Sequence, residues 1–221
     1  MRTDALDETL AALPPSASQA ATISIQDAAP PPEQAALPRL ASGTDGEADL
    51  VPERTLGQGG MGRVVLAAQR SLRRRVAVKT AHSGRADAML REAVLTGMLE
   101  HPNIPPVHGL SRDANGDTVL VMKHIEGVTW ASVLADPAHP LRHESPLFAG
   151  TDALGANLAI LAQVMNALEL AHAHGVVHRD VKPENVMLGR HGEVYLIDWG
   201  IAHHAEWDRG RPASVVGTPH Y

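Results

Sequence analysis

The stretch "HRDVKPENVMLGRHGEVYLIDWG", residues 178–200, joins a charged segment to two short apolar segments. The apolar segments predict two strands around a tight turn. Asp180, Lys182 and Asn185 precede the first strand, and Asp198 directly follows the second. Because catalytic groups are commonly carried on loops beside rigid elements, the stretch predicts a chemical site next to a β-hairpin.

The residue types in this stretch suit phosphoryl transfer, which needs positioned partners and cationic charge more than covalent chemistry. Asp180 is a candidate to accept the proton of an acceptor hydroxyl, and Lys182 could neutralise charge nearby. Asn185 and Asp198 offer the oxygen ligands that Mg²⁺ prefers. The sequence therefore predicts metal-assisted phosphoryl transfer.

The pattern HRDxKPxN, followed after a hairpin by D-W-G, resembles the protein kinase family of serine/threonine type, close to the bacterial eukaryotic-like kinases. The resemblance implies Mg-ATP as cofactor and a protein substrate. It implies that Asp180 is the catalytic base, that Lys182 is the residue typical of Ser/Thr specificity, and that Asn185 and Asp198 bind magnesium.

The implied fold is α+β and bilobal, within a kinase domain over residues 50–221. A five-stranded antiparallel sheet plus one helix is expected over about 50–125, and a partial, mainly helical lobe over about 126–221. The chain ends at Tyr221, inside the segment where the family continues, so we expect an incomplete second lobe that could self-associate through exposed apolar surface.

Two motifs nearer the N-terminus agree with the resemblance. "GQGGMGRV" matches the family's glycine-rich loop with Gly57, Gly59 and Gly62, although a tight hairpin alone would also explain the pattern. "VAVK" places Lys79 where the family's phosphate-binding lysine lies, and Glu92 matches its helix partner. The implied adenine pocket consists of apolar walls and hinge backbone, unless these residues serve core packing alone: Leu56, Val64, Ala77, Met122, Lys123, Ile125 and Met187.

Local patterns also predict individual elements. Residues from Thr55 to about Thr80 read as a three-stranded antiparallel meander, and about 86–100 as a helix. A second helix is expected over about 153–174, between Asp152 as cap and Gly175 as left-handed terminator. Its predicted buried stripe is Leu158, Leu161, Ala162, Met165, Leu168 and His172. His203 and His204 are expected to face solvent.

Composition limits the class of protein. Residues 1–49 are rich in Ala and Pro, including "PPP" at 30–32, and predict a disordered tail. A net charge of −6 without a basic block argues against a nucleic-acid partner. The absence of cysteine fits a reducing cytoplasm. The longest apolar stretch is interrupted by Gln163, Asn166 and Glu169, so no membrane segment is expected.

Three functions are consistent with these patterns. The first is an ATP-dependent serine/threonine protein kinase, and the second is a non-catalytic nucleotide-binding or protein-interaction module. A small-molecule kinase of related fold is the third, disfavoured because the segment ending in "GTPHY" suggests protein substrates. By resemblance, Thr218 contacts the catalytic Asp, and Trp199 replaces the family's commoner Phe.

Arg179 precedes the predicted base, and in kinases with such an Arg a phosphate on the following segment pairs with it. Ser214 carries the sole side-chain hydroxyl between Asp198 and Gly217. We therefore predict that Ser214 is phosphorylated in active protein, by the protein itself or by another kinase. Phosphopeptide mapping checks this, and active protein with an unmodified Ser214 would contradict it.

Overall fold

The structure is a computed structural model, and it describes residues 37, 48–59, 62–113, 115–210 and 217–218. The predicted disordered tail over residues 1–49 falls almost wholly outside the described residues. Ser214 also lies outside them.

The N-terminal lobe is a five-stranded antiparallel sheet in the order β1-β2-β3-β5-β4. Its elements are β1 (Leu50–Gly59), β2 (Gly62–Gln69), β3 (Arg74–Ala81), α1 (Ala86–Met98), β4 (Val107–Arg112) and β5 (Thr118–Lys123). The predicted meander is β1 to β3, and the predicted helix is α1. The expected sheet of five strands plus one helix is confirmed.

Alternating side chains of the sheet build two separate apolar clusters, as expected when neighbouring residues of a strand face opposite sides. On β5, Val119 and Val121 belong to a cluster with residues of β2 and β3. Leu120, between them, packs with Met89 and Ala93 of α1. The sheet thus fixes α1 against one of its faces.

The second part of the described chain contains three α-helices and five short strands. These are β6 (Gly127–Thr129), α2 (Trp130–Ala135), α3 (Leu141–Glu144), α4 (Ala153–Ala173), β7 (Val176–Val177), β8 (Val186–Gly189), β9 (Val194–Leu196) and β10 (His203–His204). The predicted hairpin is β8 and β9, which join β6 in a small antiparallel sheet, while β7 pairs with β10.

The ends of α4 follow the sequence prediction. The Asp152 carboxylate accepts a hydrogen bond from the Gly155 N–H at 2.7 Å. Gly175 lies just past the helix with φ at 68°, the left-handed region that favours glycine. These two signals place a rigid helix directly before the segment that carries Asp180.

The predicted buried face of α4 is wrong except at Leu168, which is partly buried against the main core cluster. Leu158, Leu161 and Met165 are exposed, as is His172. The buried face instead consists of Ala156, Ile160, Val164, Ala167 and Ala171, which pack in the main core cluster. Both faces of α4 are apolar, so periodicity could not distinguish them, and small side chains allow the closer packing.

Among the described helices, α4 is long enough to cross a membrane and has a mean hydropathy of 1.3 over 18 residues. A core helix of a soluble protein satisfies the same criterion.

The two faces of α4 should respond differently to truncation. Ile160 is 0% exposed and Leu158 is 56% exposed. We expect Ile160→Ala to lower the free energy of unfolding by about 2–5 kcal/mol through lost burial and a cavity. Leu158→Ala, the matched control, should change it by less than about 0.5 kcal/mol. Urea unfolding checks both, and equal losses would contradict the assigned face.

Candidate active site

A buried ion pair joins the sheet to α1. Lys79 lies within β3, whose neighbours place Val64 on one side of it and Leu120 on the other. Its Nζ donates to both carboxylate oxygens of Glu92 at 2.6 Å. Burial raises the pKa of Glu92, and the positive charge of Lys79 opposes that rise. The structure therefore brings the two predicted partners together.

Asp180 is the hub of a second network. One carboxylate oxygen accepts from the Thr218 hydroxyl at 2.7 Å and from the Thr218 N–H at 3.1 Å. The other accepts from the Asn185 amide at 2.9 Å and forms an ion pair with Lys182 at 2.7 Å. Lys182 also donates to the Thr218 hydroxyl at 2.5 Å. Three predicted site residues, Thr218, Asn185 and Lys182, thus converge on the carboxylate of a fourth, Asp180.

These contacts determine the ionisation of the hub. Burial raises the pKa of Asp180, but hydrogen bonds from Lys182, Thr218 and Asn185 lower it further, so the pKa lies below its ordinary value of 3.8. The hydrogen bond to Asp180 raises the pKa of Lys182. Asp180 is therefore a carboxylate and Lys182 an ammonium at neutral pH. Their mutual stabilisation is lost as pH falls through the lowered pKa of Asp180.

The two predicted metal ligands come from adjacent segments. The Asn185 Nδ2 donates to the Asp180 carbonyl at 2.8 Å and to its carboxylate, which turns the amide oxygen away from Asp180. The backbone N–H of Ile197 donates to the backbone carbonyl of Asn185 at 2.8 Å. Asp198 is the next residue after Ile197, so this hydrogen bond holds the two predicted ligands in neighbouring segments. A neutral oxygen and a carboxylate at the same cleft wall fit a hard cation such as Mg²⁺.

A cleft of about 1610 Å³ separates the two parts of the chain. Lys79, Glu92, Asp180, Asn185 and Asp198 line it. All the predicted nucleotide-contacting residues line it as well: Leu56, Gly57, Gly59, Gly62, Val64, Ala77, Met122, Lys123, Ile125 and Met187. Lys182, Arg179 and Thr218 are not among the lining residues. Lys182 and Thr218 instead contact the carboxylate of Asp180, which does line the cleft.

The glycines of the predicted phosphate loop differ in their surroundings. A Cβ added at Gly57 or Gly59 would meet nothing within 4 Å. A Cβ at Gly62 would lie 2.1 Å from the Thr80 carbonyl oxygen of the paired strand. Open space above Gly57 and Gly59 fits a bound group that approaches the backbone closely. Gly62 is required by strand packing.

His178 and Trp199 support the site from the core. The Asp180 N–H donates to His178 Nδ1 at 3.2 Å, so the Nε2 atom carries the proton that it donates to the Ile197 carbonyl at 3.0 Å. Burial lowers the pKa of His178, which favours this neutral form. The Trp199 indole N–H donates to the Leu196 carbonyl at 3.2 Å, and its ring meets His178 edge-on. The bulkier ring therefore satisfies its polar atom.

The segment after Trp199 contains contacts that the sequence did not indicate. His204 is buried, which contradicts its expected exposure, and it stacks on Trp207 with ring centroids 4.3 Å apart. Asp208 pairs with Arg91 of α1. These partners are 117 residues apart, so no local pattern signals them.

Arg179 adopts a left-handed φ of 70°, and its carbonyl lies against Gly217. Its predicted phosphate partner, Ser214, is outside the described residues.

Comparison with known proteins identifies the class. The protein kinase domain family matches residues 50–221, and the chain belongs to that family. Its fold and the gathered cleft residues agree with this membership.

Its relatives are bacterial serine/threonine-protein kinases. The chain is 38% identical to PknD of Chlamydia trachomatis serovar D over 156 residues, covering 67% of this chain and 16% of that protein. It is 37% identical to PknH of Mycobacterium tuberculosis (strain H37Rv) over 158 residues, covering 68% of this chain and 23% of that protein. PknD of Protochlamydia amoebophila is 33% identical over 159 residues, covering 67% and 16%. The chain thus spans less than a quarter of the length of these relatives.

The indole of Trp199 should stabilise the folded protein more than a phenyl ring at the same position would. Trp199 is 2% exposed, so Trp199→Phe removes a buried hydrogen bond to Leu196 and leaves a small cavity. We expect a loss of roughly 1–3 kcal/mol in the free energy of unfolding. Urea unfolding measures it. Trp130→Phe is the control for losing an indole N–H at a partly buried position, and an equal or smaller loss at Trp199 would contradict the assignment.

Proposed function

We propose that this chain transfers the γ-phosphate of Mg-ATP to serine and threonine hydroxyls of protein substrates. The observation that carries the proposal is the position of Asp180 at the wall of a cleft that also holds the Lys79–Glu92 pair, Asn185 and Asp198. A charged base, a paired cation and oxygen ligands on one cleft supply the positioning that phosphoryl transfer needs.

The cleft residues fit Mg-ATP in chemical type. Lys79, held by Glu92, would contact phosphates, and Asn185 and Asp198 would hold magnesium. The apolar walls and the backbone near Lys123 and Ile125 would receive the adenine. When bound, Mg-ATP supplies the phosphoryl group and the charge of the cation.

Asp180 has the protonation state that its proposed role requires. The lowered pKa keeps the Asp180 carboxylate deprotonated at neutral pH, as a proton acceptor must be, and the same shift makes it a weaker base. Lys182 contacts both Asp180 and Thr218, which places a positive charge beside the reacting oxygens. The Thr218 contacts restrict rotation of the Asp180 carboxylate, so that its orientation is set before substrate arrives.

Association is a second candidate function. Leu154, Leu158, Leu161 and Met165 form an exposed apolar face of α4. A contiguous face of this kind favours contact with another surface, and we propose self-association through it.

The absence of cysteine supports the further proposal that the protein works in the cytoplasm. If Mg-ATP stabilises the chain against heat but no phosphate is transferred, the non-catalytic module is the better description.

Two substitutions distinguish the roles of the acidic residues. Asp180→Asn removes the base and should lower the transfer rate by about 10²- to 10⁴-fold. Mg-ATP binding should survive, because Asn185 and Asp198 remain. Asp198→Asn should abolish the magnesium dependence of ATP binding. Radiolabelled phosphate transfer and isothermal titration with and without Mg²⁺ measure these effects.

Asp87→Asn is the matched control, since Asp87 is exposed on the first turn of α1. It should leave transfer and binding unchanged. Wild-type transfer by the Asp180→Asn variant, or magnesium-dependent binding by the Asp198→Asn variant, would contradict the proposal.

A further inference from the structure

α1 has a second charged link besides the one through Glu92. The side chain of Arg91, the residue before Glu92, pairs with the carboxylate of Asp208. The Arg91 side chain is 20% exposed and that of Asp208 is 10% exposed. Because neither charge is fully hydrated, separating the two would be more costly than separating an exposed pair.

Asp208 is held in place from its own side. The same carboxylate oxygen contacts His203 Nδ1 at 2.9 Å and accepts from the His204 N–H at 3.0 Å. The Arg91 guanidinium lies over the Trp207 ring, 5.5 Å from its centroid, and Trp207 stacks on His204. Residues 203–208 thus form a compact turn around Asp208, which we call the Asp208 turn.

The Asp208 turn is also tied to the segment that carries the catalytic base. His203 pairs with Val177 and His204 with Val176, so β10 is fixed to β7. His178 and Asp180 follow β7 directly. The Arg91–Asp208 pair therefore links α1 to the backbone that leads to Asp180.

Helix geometry couples the two links of α1. Successive residues of an α-helix point about 100° apart around its axis. Glu92 therefore reaches Lys79 across the sheet face while Arg91 reaches the Asp208 turn. Since the two side chains belong to adjacent residues of one helix, a rotation or outward shift of α1 that broke one contact would also displace the other.

We propose that Arg91 and Asp208 are positioning residues, whose ion pair holds α1 in the orientation that lets Glu92 bind Lys79. The link is made by two unmodified side chains, so it needs no modification of the segment. Its catalytic consequence rests on the proposed function, whereas its effect on α1 does not.

The test is a mutant cycle with Asp208→Asn, which keeps the shape of the side chain and removes its charge. We expect kcat/KM for ATP to fall roughly tenfold or more, the effect of weakening one partly buried charge pair. In the Glu92→Gln background, where the Lys79 pair is already lost, Asp208→Asn should cause little further loss. Losses that multiply would show that Asp208 acts independently of Glu92 and would overturn the proposal.

Amide hydrogen exchange over residues 86–98 gives a readout that does not depend on turnover. Asp208→Asn and Arg91→Gln should both speed exchange in α1, while Arg85→Ala should not, because Arg85 is exposed at the start of the same helix. Unchanged exchange in both variants would overturn the proposal. If the wild type transfers no phosphate, the proposed function fails, and the exchange data still decide the role of the pair.

Where Asp208→Asn fails to fold, Arg91→Gln carries both measurements, since Arg91 lies on the partly exposed side of α1. A charge exchange, Arg91→Asp with Asp208→Arg, should restore slow exchange relative to either single change. Failure to restore it, with both single variants folded, would count against a direct ion pair.

Discussion

The Lys79–Glu92 pair is the constraint on which the rest of the structure depends. Two charges removed from water must remain paired, and deleting one partner of such a pair typically costs about 3–5 kcal/mol. Their contact at 2.6 Å requires β3 and α1 to keep one relative position. Leu120 of the sheet packs against Met89 and Ala93 of α1, and these three side chains fill the space between strand and helix. Electrostatics and packing thus specify the same arrangement of the N-terminal lobe.

Hydrogen bonds organise the opposite wall of the cleft. The His178 ring bonds to the backbone on both sides of the site, at Asp180 and at Ile197. The backbone N–H of Ile197 in turn donates to the Asn185 carbonyl. Three hydrogen bonds therefore join the segment that carries Asp180 to the end of the strand before Asp198. A site made of loop residues gains rigidity in this way because the loop backbone is tied to buried groups.

Local patterns predicted the parts of the fold that local forces determine. The caps of α4 and the turn between β8 and β9 follow from residue type and spacing. Motif spacing likewise predicted the residues that line the cleft. The buried face of α4 could not be predicted from periodicity, because both faces are apolar and the face with the smaller side chains packs against the core. The Arg91–Asp208 contact and the burial of His204 depend on distant segments meeting, and no local pattern reports that.

The three glycines of the phosphate-loop motif are needed for different structural reasons, as Gly62 shows. Two of them border open space, whereas the third sits under the Thr80 carbonyl with no room for a methyl group. A side chain at position 62 would push β2 and β3 apart at the end nearest the loop, and the strand pairing beside Lys79 would be disturbed with it. Loss of nucleotide affinity after such a change would report a distorted hairpin, and it would say little about whether the backbone at that residue touches a phosphate.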